Sequence, residues 1–473
     1  MAASTTTTDT ASWEQLRAAL QADVLSSVPQ HVERLGWSAG RIRAAQREGL
    51  RRLLAHAAEH SPFHRRRLAG VDIDHIDAAD LSSLPVMTKS EMMAELDDVF
   101  TDRRLSRGLI EAALTATGAE PIPICGEYIA LASGGSSGKR GVFVFDRPAI
   151  AGFVSALSRS LMARLRALGG PPPGGLPVVL VAAASAVHAT GAAPALTAGG
   201  DMPFRFIPVP ATLPLPEIVA RLNALQPPAL FGYPSVLARL AAEQRAGRLQ
   251  VAPIVVSSTS ETLLSETRAA ISEAFAVPVV DTFGSTEGLV GTSAPGDSVL
   301  VFNTDMCIVE LVDDACRPVS PGVASTKVIV TNLYNLTQPL IRYELADSFV
   351  RQPDAAEHGH LRAHVQGRTE DVLHYDEIDI HPLAVRSVMV QAPQVVDYQV
   401  RQTPRGVEVD AVTAGTPDVD RLTDLLAYAL AEAGLSEPDV TVRIVDSLGR
   451  HHETGKVRRF VPVDALSEGN GRT

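Results

Sequence analysis

The feature that most constrains the fold is an alternation of short apolar runs and longer amphipathic stretches between residues 122 and 284. The apolar runs are rich in Val, Ile, Leu and Phe, which is typical of buried strands, whereas the stretches between them have helical spacing. This order predicts an α/β fold with largely parallel sheets covered by helices. The predicted strands are 128–132, 142–145, 177–181, 229–231, 254–257 and 277–283, and the predicted helices are 149–168, 215–225, 236–246 and 265–274.

The flanking parts of the chain have a different pattern. Residues 13 to about 115 are predicted to be mainly helical, since 13–25 and 42–57 carry apolar residues at three- and four-residue spacing. A strand-rich stretch at 306–343 predicts a β subdomain, and a compact α+β domain follows. The predicted elements of that last domain are a hairpin at 395–401 and 406–412, a helix at 419–432 and a strand at 440–445.

The predicted organisation is therefore a tail at 1–12, a large domain at 13–369 and a small domain at 370–473. The first residues have no cationic stretch followed by an apolar core, so we expect a disordered tail there and no signal peptide. No apolar stretch reaches the roughly 20 residues of a membrane helix. A protein without membrane association is expected.

Charge and cysteine content narrow the choice of partners. The 473 residues include 42 Lys and Arg against 54 Asp and Glu, a net charge of −12, which argues against general binding to nucleic acid. The cysteines, Cys125, Cys307 and Cys316, are too few and too scattered for a disulfide scaffold or a four-cysteine zinc site. A reducing, cytoplasmic setting is the expectation.

The most unusual local sequence is the glycine- and serine-rich stretch at 132–141. Such a loop can turn several backbone N–H groups and hydroxyls toward one anion. It is no Walker A loop, because Arg140 follows Gly138-Lys139 where Ser or Thr is required. It contains Gly-x-Ser-x-Gly around Ser136, but a strand follows at 142–145, whereas a nucleophile elbow needs a helix there. A flexible hairpin is the alternative interpretation.

Four further segments carry chemistry-bearing residues, each weak by itself. Glu287 follows a strand and a glycine turn, where an acidic residue can ligate Mg²⁺, and the neighbouring Thr286 can contact a phosphate. The other segments are 339–347, 367–371 and 453–459, of which the last places Lys456 on a glycine-containing loop.

The order and spacing of these five segments resemble the adenylate-forming superfamily of acyl-CoA synthetases, adenylation domains and luciferases. The stretches at 53–64 and 84–89 are similar to those of its phenylacetate–CoA ligase group. The resemblance implies a large ATP- and substrate-binding domain and a small mobile domain that carries the catalytic lysine. It implies ATP and Mg²⁺ as cofactors, with CoA as a candidate acceptor.

The resemblance also implies residue roles. Lys456 would contact the attacking carboxylate and the α-phosphate, Thr286 the α-phosphate and Glu287 the Mg²⁺ ion. Asp347 would bind the ribose hydroxyls, Arg368 would make a further nucleotide contact, and Glu370 would be the hinge. The loop residues implied to hold the β- and γ-phosphates are Ser133, Gly135, Ser136, Ser137, Gly138 and Lys139, and those around adenine are Ser260, Glu261, Thr262, Thr282, Phe283 and Gly284.

Substrate contacts are predicted at His188, Tyr233 and Ser285, near the ends of predicted strands. None of them defines the acid, although the resemblance favours aryl and arylacetic acids. One departure bears on the acceptor. Glu377 stands where the group usually has a glycine that lines the tunnel for the CoA arm, so we expect the second step to differ from ordinary thioester formation.

The function predicted from sequence is an ATP-dependent ligase that activates a small, aromatic carboxylate as acyl-AMP and passes it to CoA, an amine or the thiol of a separate carrier protein. One alternative is ATP-dependent activation of nitrite for an arylamine substrate in a natural-product pathway. Another is an inactive binding protein that retains the fold. The oligomeric state is left open, a homodimer included.

Overall fold

The structure is a computed structural model that describes residues 6–73, 75–133, 141–355, 359–368, 371–376, 378–380, 382–389, 391–392, 394–451 and 454–463. The helices are α1 (Thr6–Arg34), α2 (Ala39–His60), α3 (Pro62–Arg67), α4 (Lys89–Ala94), α5 (Leu96–Val99), α6 (Arg107–Ala116), α7 (Arg147–Ala167), α8 (Ala189–Thr197), α9 (Leu215–Leu225), α10 (Pro234–Arg245), α11 (Ser265–Phe275), α12 (Leu383–Met389) and α13 (Val419–Glu432).

The strands are β1 (Ile129–Ala132), β2 (Val142–Phe145), β3 (Leu176–Ala182), β4 (Phe204–Pro210), β5 (Ala229–Gly232), β6 (Val255–Thr259), β7 (Val279–Gly284), β8 (Val290–Ser293), β9 (Leu300–Phe302), β10 (Cys307–Val312), β11 (Lys327–Asn332), β12 (Tyr343–Leu345), β13 (Asp347–Arg351), β14 (Arg362–Arg368), β15 (Leu373–Tyr375), β16 (Ile378–Ile380), β17 (Val395–Thr403), β18 (Gly406–Thr413), β19 (Asp439–Ile444) and β20 (Phe460–Val461).

The largest sheet has the strand order β13-β14-β9-β8-β7-β6-β5-β3-β4. The half from β4 to β7 is parallel, as predicted, with helices α9, α10 and α11 in the crossovers. The half from β7 to β13 is antiparallel, which the sequence analysis did not predict. The reason is the connection after β7, since the turn at 285–289 is far too short for a crossover helix.

The N-terminal helix corrects one prediction. Helix α1 begins at Thr6, so it takes in residues 6–12 of the segment that was predicted to be a disordered tail. Its apolar face, with Trp13, Leu20 and Val24 each at most 2% exposed, belongs to the main core and packs against α7. Burial of this face stabilises the helix.

The C-terminal part has a core of its own. Strands β17 and β18 form the predicted hairpin, β19 adds to it in parallel, and helix α13 has the predicted bounds. Leu422, Leu426 and Leu430 of α13 are buried against this sheet. Strand β20 pairs in parallel with β17, so the chain just after Lys456 is part of the same sheet.

Two further features bear on the sequence predictions. Strands β10, β11 and β12 form a separate three-stranded sheet, which is the predicted β subdomain. None of the described helices combines the length and the apolar character that a membrane span requires.

Candidate functional site

A cavity of about 1000 Å³ lies at the carboxyl ends of β5, β6 and β7. In parallel α/β sheets this edge is the usual place for ligands, because the loops that follow the strands converge there. The C-terminal part closes it from the other side, with His451, Thr454 and Lys456 on its wall. The cavity therefore joins regions of the chain that are far apart in sequence.

Most of the described residues predicted as site residues line this one cavity. They are Ser133, His188, Ser260, Glu261, Thr262, Thr282, Phe283, Gly284, Ser285, Thr286, Glu287, Asp347 and Lys456. Ser260 has a left-handed backbone (φ +68°), which is uncommon for a non-glycine residue and is found most often where the surroundings fix a functional loop. The loop residues 134–140, with Gly135, Ser136, Ser137, Gly138 and Lys139, lie outside the described residues, as do Glu370 and Glu377.

The strands around the glycine- and serine-rich loop are described. β1 and β2 form an antiparallel hairpin in which Ala132 pairs with Val142. The loop thus joins two strands, as predicted, and the strand–turn–helix context of a nucleophile elbow is absent from these flanking residues. Ser133, at the start of the loop, accepts a hydrogen bond from Gly141 N through its hydroxyl (2.9 Å).

Glu287 is held in the tight turn between β7 and β8. Its side chain lines the cavity although the residue is only 7% exposed, and the Thr286 hydroxyl lies 3.5 Å from its Oε2. Asn332 donates to the backbone carbonyl of Glu287 (2.9 Å). Gly288 is required next to it, because its φ is +102° and a Cβ there would lie 2.2 Å from the Asn332 amide nitrogen.

The carboxylate of Glu287 suits a magnesium ion that also binds a polyphosphate. Among the described residues, no three His, Cys, Asp or Glu side chains are grouped as a self-sufficient metal site. Mg²⁺ is commonly held by one or two carboxylates together with phosphate oxygens. The buried carboxylate of Glu287 on the cavity wall therefore fits an ion that arrives with ATP.

Asp347 and Arg368 occupy paired backbone positions on two neighbouring antiparallel strands. Asp347 opens β13 and is the register partner of Arg368, the last residue of β14. Asp347 lines the cavity. The pairing brings together two backbone positions that the sequence resemblance assigns to nucleotide binding.

Lys456 projects toward the cavity from a loop of the C-terminal part. Its Nζ lies 5.5 Å from the centre of the Tyr233 ring, a distance at which the ring face attracts a cation. Tyr233 itself is fully buried, and its hydroxyl accepts from Ala183 N (2.9 Å) and lies 3.3 Å from the Thr190 hydroxyl. Burial raises the pKa of Tyr233 to about 12, so its ring stays a neutral phenol.

The position of Tyr233 changes its predicted role. It was predicted to contact substrate, but its ring lies behind the cavity wall and supports Lys456 instead. The physical reason is that its ring packs in the core of the parallel sheet, and its hydroxyl already has hydrogen-bond partners in Ala183 N and Thr190. Its neighbour Phe231, at the end of β5, is the residue of this segment that lines the cavity.

The loop around Lys456 is tied to the large part of the molecule. Val457 N donates to Glu261 Oε1 (3.1 Å), and Glu261 also accepts from the backbone N and the hydroxyl of Ser235 (3.0 and 3.1 Å). Arg450 Nη1 donates to Gly455 O (2.9 Å) and to the Ser235 hydroxyl (3.2 Å). The backbone groups on both sides of Lys456, Gly455 O and Val457 N, are therefore hydrogen-bonded to side chains.

One part of the cavity wall is apolar. We call it the apolar end, and it is lined by Phe153, Val154, Leu157, Leu161, Leu180, Ala193, Leu196, Phe204, Phe206 and Phe231. Two hydroxyls in this region are satisfied locally, since Ser158 donates to Val154 O (2.8 Å) and Thr197 donates to Ala193 O (2.9 Å). An uncharged, mainly apolar group would fit here without losing hydrogen bonds.

Comparison with known proteins agrees with this geometry. No family model matches the chain. It is 30% identical to protein CapK of Staphylococcus aureus over 132 residues, 28% of each chain. It is 25% identical to a phenylacetate–coenzyme A ligase of Thermus thermophilus over 374 residues, covering 76% of this chain and 77% of that one.

Solved structures extend the likeness to nearly the whole chain. A 2-hydroxyisobutyryl-CoA ligase in the postadenylation state, in complex with 2-HIB-AMP, aligns with a TM-score of 0.66 at 18% identity and covers 92% of this chain and 93% of that one. The chain has the fold of the adenylate-forming ligases. The predicted resemblance to this superfamily, and to its phenylacetate–CoA ligase group, is confirmed.

The structural likeness to this ligase differs between two of its crystal structures. The same ligase in its thioesterification state aligns with a TM-score of only 0.52.

The sequence analysis missed several residues of this site. Arg268 and Asp281 line the cavity, and burial raises the pKa of Asp281 although Ser258 donates to it (2.6 Å). Arg450 was also missed. Asp281 directly precedes Thr282, Phe283 and Gly284 in the chain, whereas Arg450 belongs to no pattern and becomes visible only in three dimensions.

Proposed function

We propose that this protein is an AMP-forming ligase that activates a small aromatic carboxylate with ATP and releases pyrophosphate. The observation that carries the proposal is the position of Lys456, which shares one cavity with Thr286, Glu287 and Asp347 although it comes from the C-terminal part. The adenylate-forming fold and the likeness to a phenylacetate–coenzyme A ligase support the same reaction.

The proposed step forms a bond between a carboxylate oxygen and the α-phosphorus and breaks the bond from that phosphorus to the oxygen bridging the α- and β-phosphates. Pyrophosphate leaves with the bond electrons. The ammonium of Lys456 would contact the attacking carboxylate and the α-phosphate, which reduces the repulsion between two anions. Mg²⁺, held by Glu287 and the phosphates, would neutralise charge on the leaving group.

The apolar end supports the substrate class. Ten apolar side chains form its wall, including the rings of Phe204, Phe206 and Phe231, whose centroids follow one another at 5.6 and 5.9 Å. An aryl group would make edge and face contacts with these rings. The carboxylate of such an acid would then point toward Lys456, at the polar end of the same cavity.

A panel of acids tests the proposal. Phenylacetate, benzoate, cinnamate, hexanoate and succinate are each incubated with the protein, ATP and Mg²⁺, and pyrophosphate is measured. We expect release with one or more aryl acids and none with succinate, whose second carboxylate would be buried in the apolar end. Absence of acid-dependent release across the panel and its wider aryl analogues would contradict the proposal and favour a binding protein.

The acceptor is tested in the same assay. CoA, an amine, or nitrite with an aminoaryl acid is added, and the products are identified by mass spectrometry. Glu377 leads us to expect poor formation of acyl-CoA relative to acyl-AMP. Efficient release of acyl-CoA would refute that expectation and leave the adenylation step as proposed.

A further inference from the structure

Glu261 has a contact pattern that differs from its expected place beside adenine. Both oxygens of its carboxylate accept hydrogen bonds, Oε2 from Ser235 N and Oε1 from the Ser235 hydroxyl and Val457 N. Ser235 lies in the first turn of α10, and Val457 directly follows Lys456. One carboxylate therefore bridges the start of a helix in the large part and the lysine loop of the C-terminal part.

The first turn of α10 makes this bridge favourable. The N–H groups at the start of a helix have no partner within the helix, and the helix dipole attracts a negative charge there. α10 has 12 residues, and its N-cap, Tyr233, makes no side-chain capping bond. Glu261 supplies the missing acceptor from another loop, so its position is fixed before it binds Val457.

Arg450 completes the attachment on the other side of Lys456. It bonds Gly455 O and the Ser235 hydroxyl, and its Nη2 lies 3.7 Å from Asp397 Oδ2, a carboxylate 1% exposed. Gly455 also packs closely, since its φ is +71° and an added Cβ would lie 3.0 Å from the backbone of Ala211. Together these contacts hold the loop that carries Lys456 against the large part of the molecule.

We propose that Glu261 is a positioning residue that holds the lysine loop against the large part of the molecule during adenylation. This inference rests on the proposed function, because it assigns Glu261 an effect exerted through Lys456. The bond from Val457 N to Glu261 has to break when Lys456 withdraws. Glu261 should therefore favour the adenylation step and have no such effect on later transfer of a preformed acyl adenylate.

The variants Glu261→Ala and Ser235→Ala test the proposal. Glu261→Ala removes both carboxylate oxygens, so Val457 N and Ser235 N both lose their acceptor. Ser235→Ala removes the hydroxyl shared by Glu261 and Arg450. Glu273→Ala is the matched control, because Glu273 is an exposed carboxylate on the neighbouring helix α11.

Two readouts are needed. The first is hydrogen–deuterium exchange of peptides covering 454–463, in which we expect the Val457 amide of Glu261→Ala to exchange at least ~10-fold faster, with no change in α13. The second is the rate of acyl adenylate formation with phenylacetate as the probe acid. We expect kcat to fall about 10- to 100-fold at nearly unchanged KM for ATP. The rate at which the phenylacetyl group is transferred from synthetic phenylacetyl-AMP to CoA or an amine, with release of AMP, should stay within about twofold of that of the unchanged protein.

The outcomes separate the two proposals. Unchanged exchange at Val457, or faster exchange throughout the C-terminal part, would overturn the role of Glu261. A raised KM for ATP with unchanged kcat would also overturn it and return Glu261 to adenine binding. If the unchanged protein adenylates no acid, the proposed function fails, whereas the exchange experiment still decides whether Glu261 holds the loop.

Discussion

The two ends of the cavity are built in different ways. The apolar end comes from residues 153–231, a continuous stretch of helices and strands whose side chains pack by shape. The lysine end is assembled from residues at 235, 261, 287, 347, 450 and 454–457. Directional hydrogen bonds hold its lysine loop. The apolar end should tolerate change in size, because packing energy varies gradually, whereas the lysine end should not.

The largest effect is expected at Lys456. Lys456→Ala removes the cation from the lysine end, so the rate of acyl adenylate formation should fall about 10²- to 10³-fold, by analogy with the loss of one oxyanion donor. Lys456→Gln, which keeps the length without the charge, should be nearly as slow. Pyrophosphate release is the measurement, and thermal unfolding is the control because the residue is half-buried on a loop. Retained activity in both variants would contradict the proposed role.

A smaller effect is expected at Asp347. Asp347→Asn removes the charge from a carboxylate that is proposed to accept from the ribose hydroxyls, each bond being worth about 1.5–3 kcal/mol. The KM for ATP should rise about 10-fold or more with a smaller change in kcat. Asp354→Asn, at an exposed residue just beyond β13, is the matched control. An equal change in the KM for ATP in both variants would contradict a role of Asp347 in binding the nucleotide.

A still smaller effect on activity is expected from substitutions at the apolar end. Phe231→Ala enlarges the cavity near the Phe206 ring, so the ratio of kcat/KM for a bulky aryl acid to that for a small one should rise about 10-fold. Phe231→Leu, which keeps more of the volume, should change the ratio less. Competition between two acids in one reaction measures it directly. A loss of all activity in Phe231→Ala, with normal folding, would remove the contrast between the two ends.

The last prediction concerns the stability of the framework that carries both ends and leaves the catalytic rates unchanged. Burial lowers the pKa of His31 and of His64 to about 4, well below the usual 6.5. Both side chains are neutral in the folded protein, and the unfolded chain takes up protons first. Stability should thus be complete above about pH 6.5 and fall by about 1.4 kcal/mol per pH unit for each histidine down to about pH 4.

Urea unfolding at several pH values checks this slope. His64→Gln can still donate to Pro339 O, the partner of the histidine Nε2 at 2.9 Å. Its stability should start lower at pH 7 and converge on that of the unchanged protein as the pH falls. Parallel curves at all pH values would show that His64 does not titrate as proposed.

The sequence predicted local structure better than long-range pairing. Helix α13 and the β17–β18 hairpin lie where periodicity places them. Helix α8 and strand β4 were missed, since each contains proline, Pro194 in the helix and Pro208 in the strand. Their backbone is stabilised by the surrounding core, which overrides local preference.

The candidate site shows the same limit. Thr286, Glu287 and Asp347 line the cavity, and the sequence could propose them because each belongs to a motif next to a strand, where the chain itself fixes the position. The attachment of the lysine loop joins Glu261 to residues 26 and 196 positions away in the sequence. Such contacts depend on how the C-terminal part meets the large part, and no local pattern encodes that.

Strand β20 follows Lys456 after only a few residues and pairs with β17 at the edge of the small sheet. The backbone pairing links the position of Lys456 to that of the sheet. Any movement that withdraws the lysine from the cavity would therefore carry this edge of the sheet with it. Chemistry at the cavity could then be governed by a surface far from the reacting atoms.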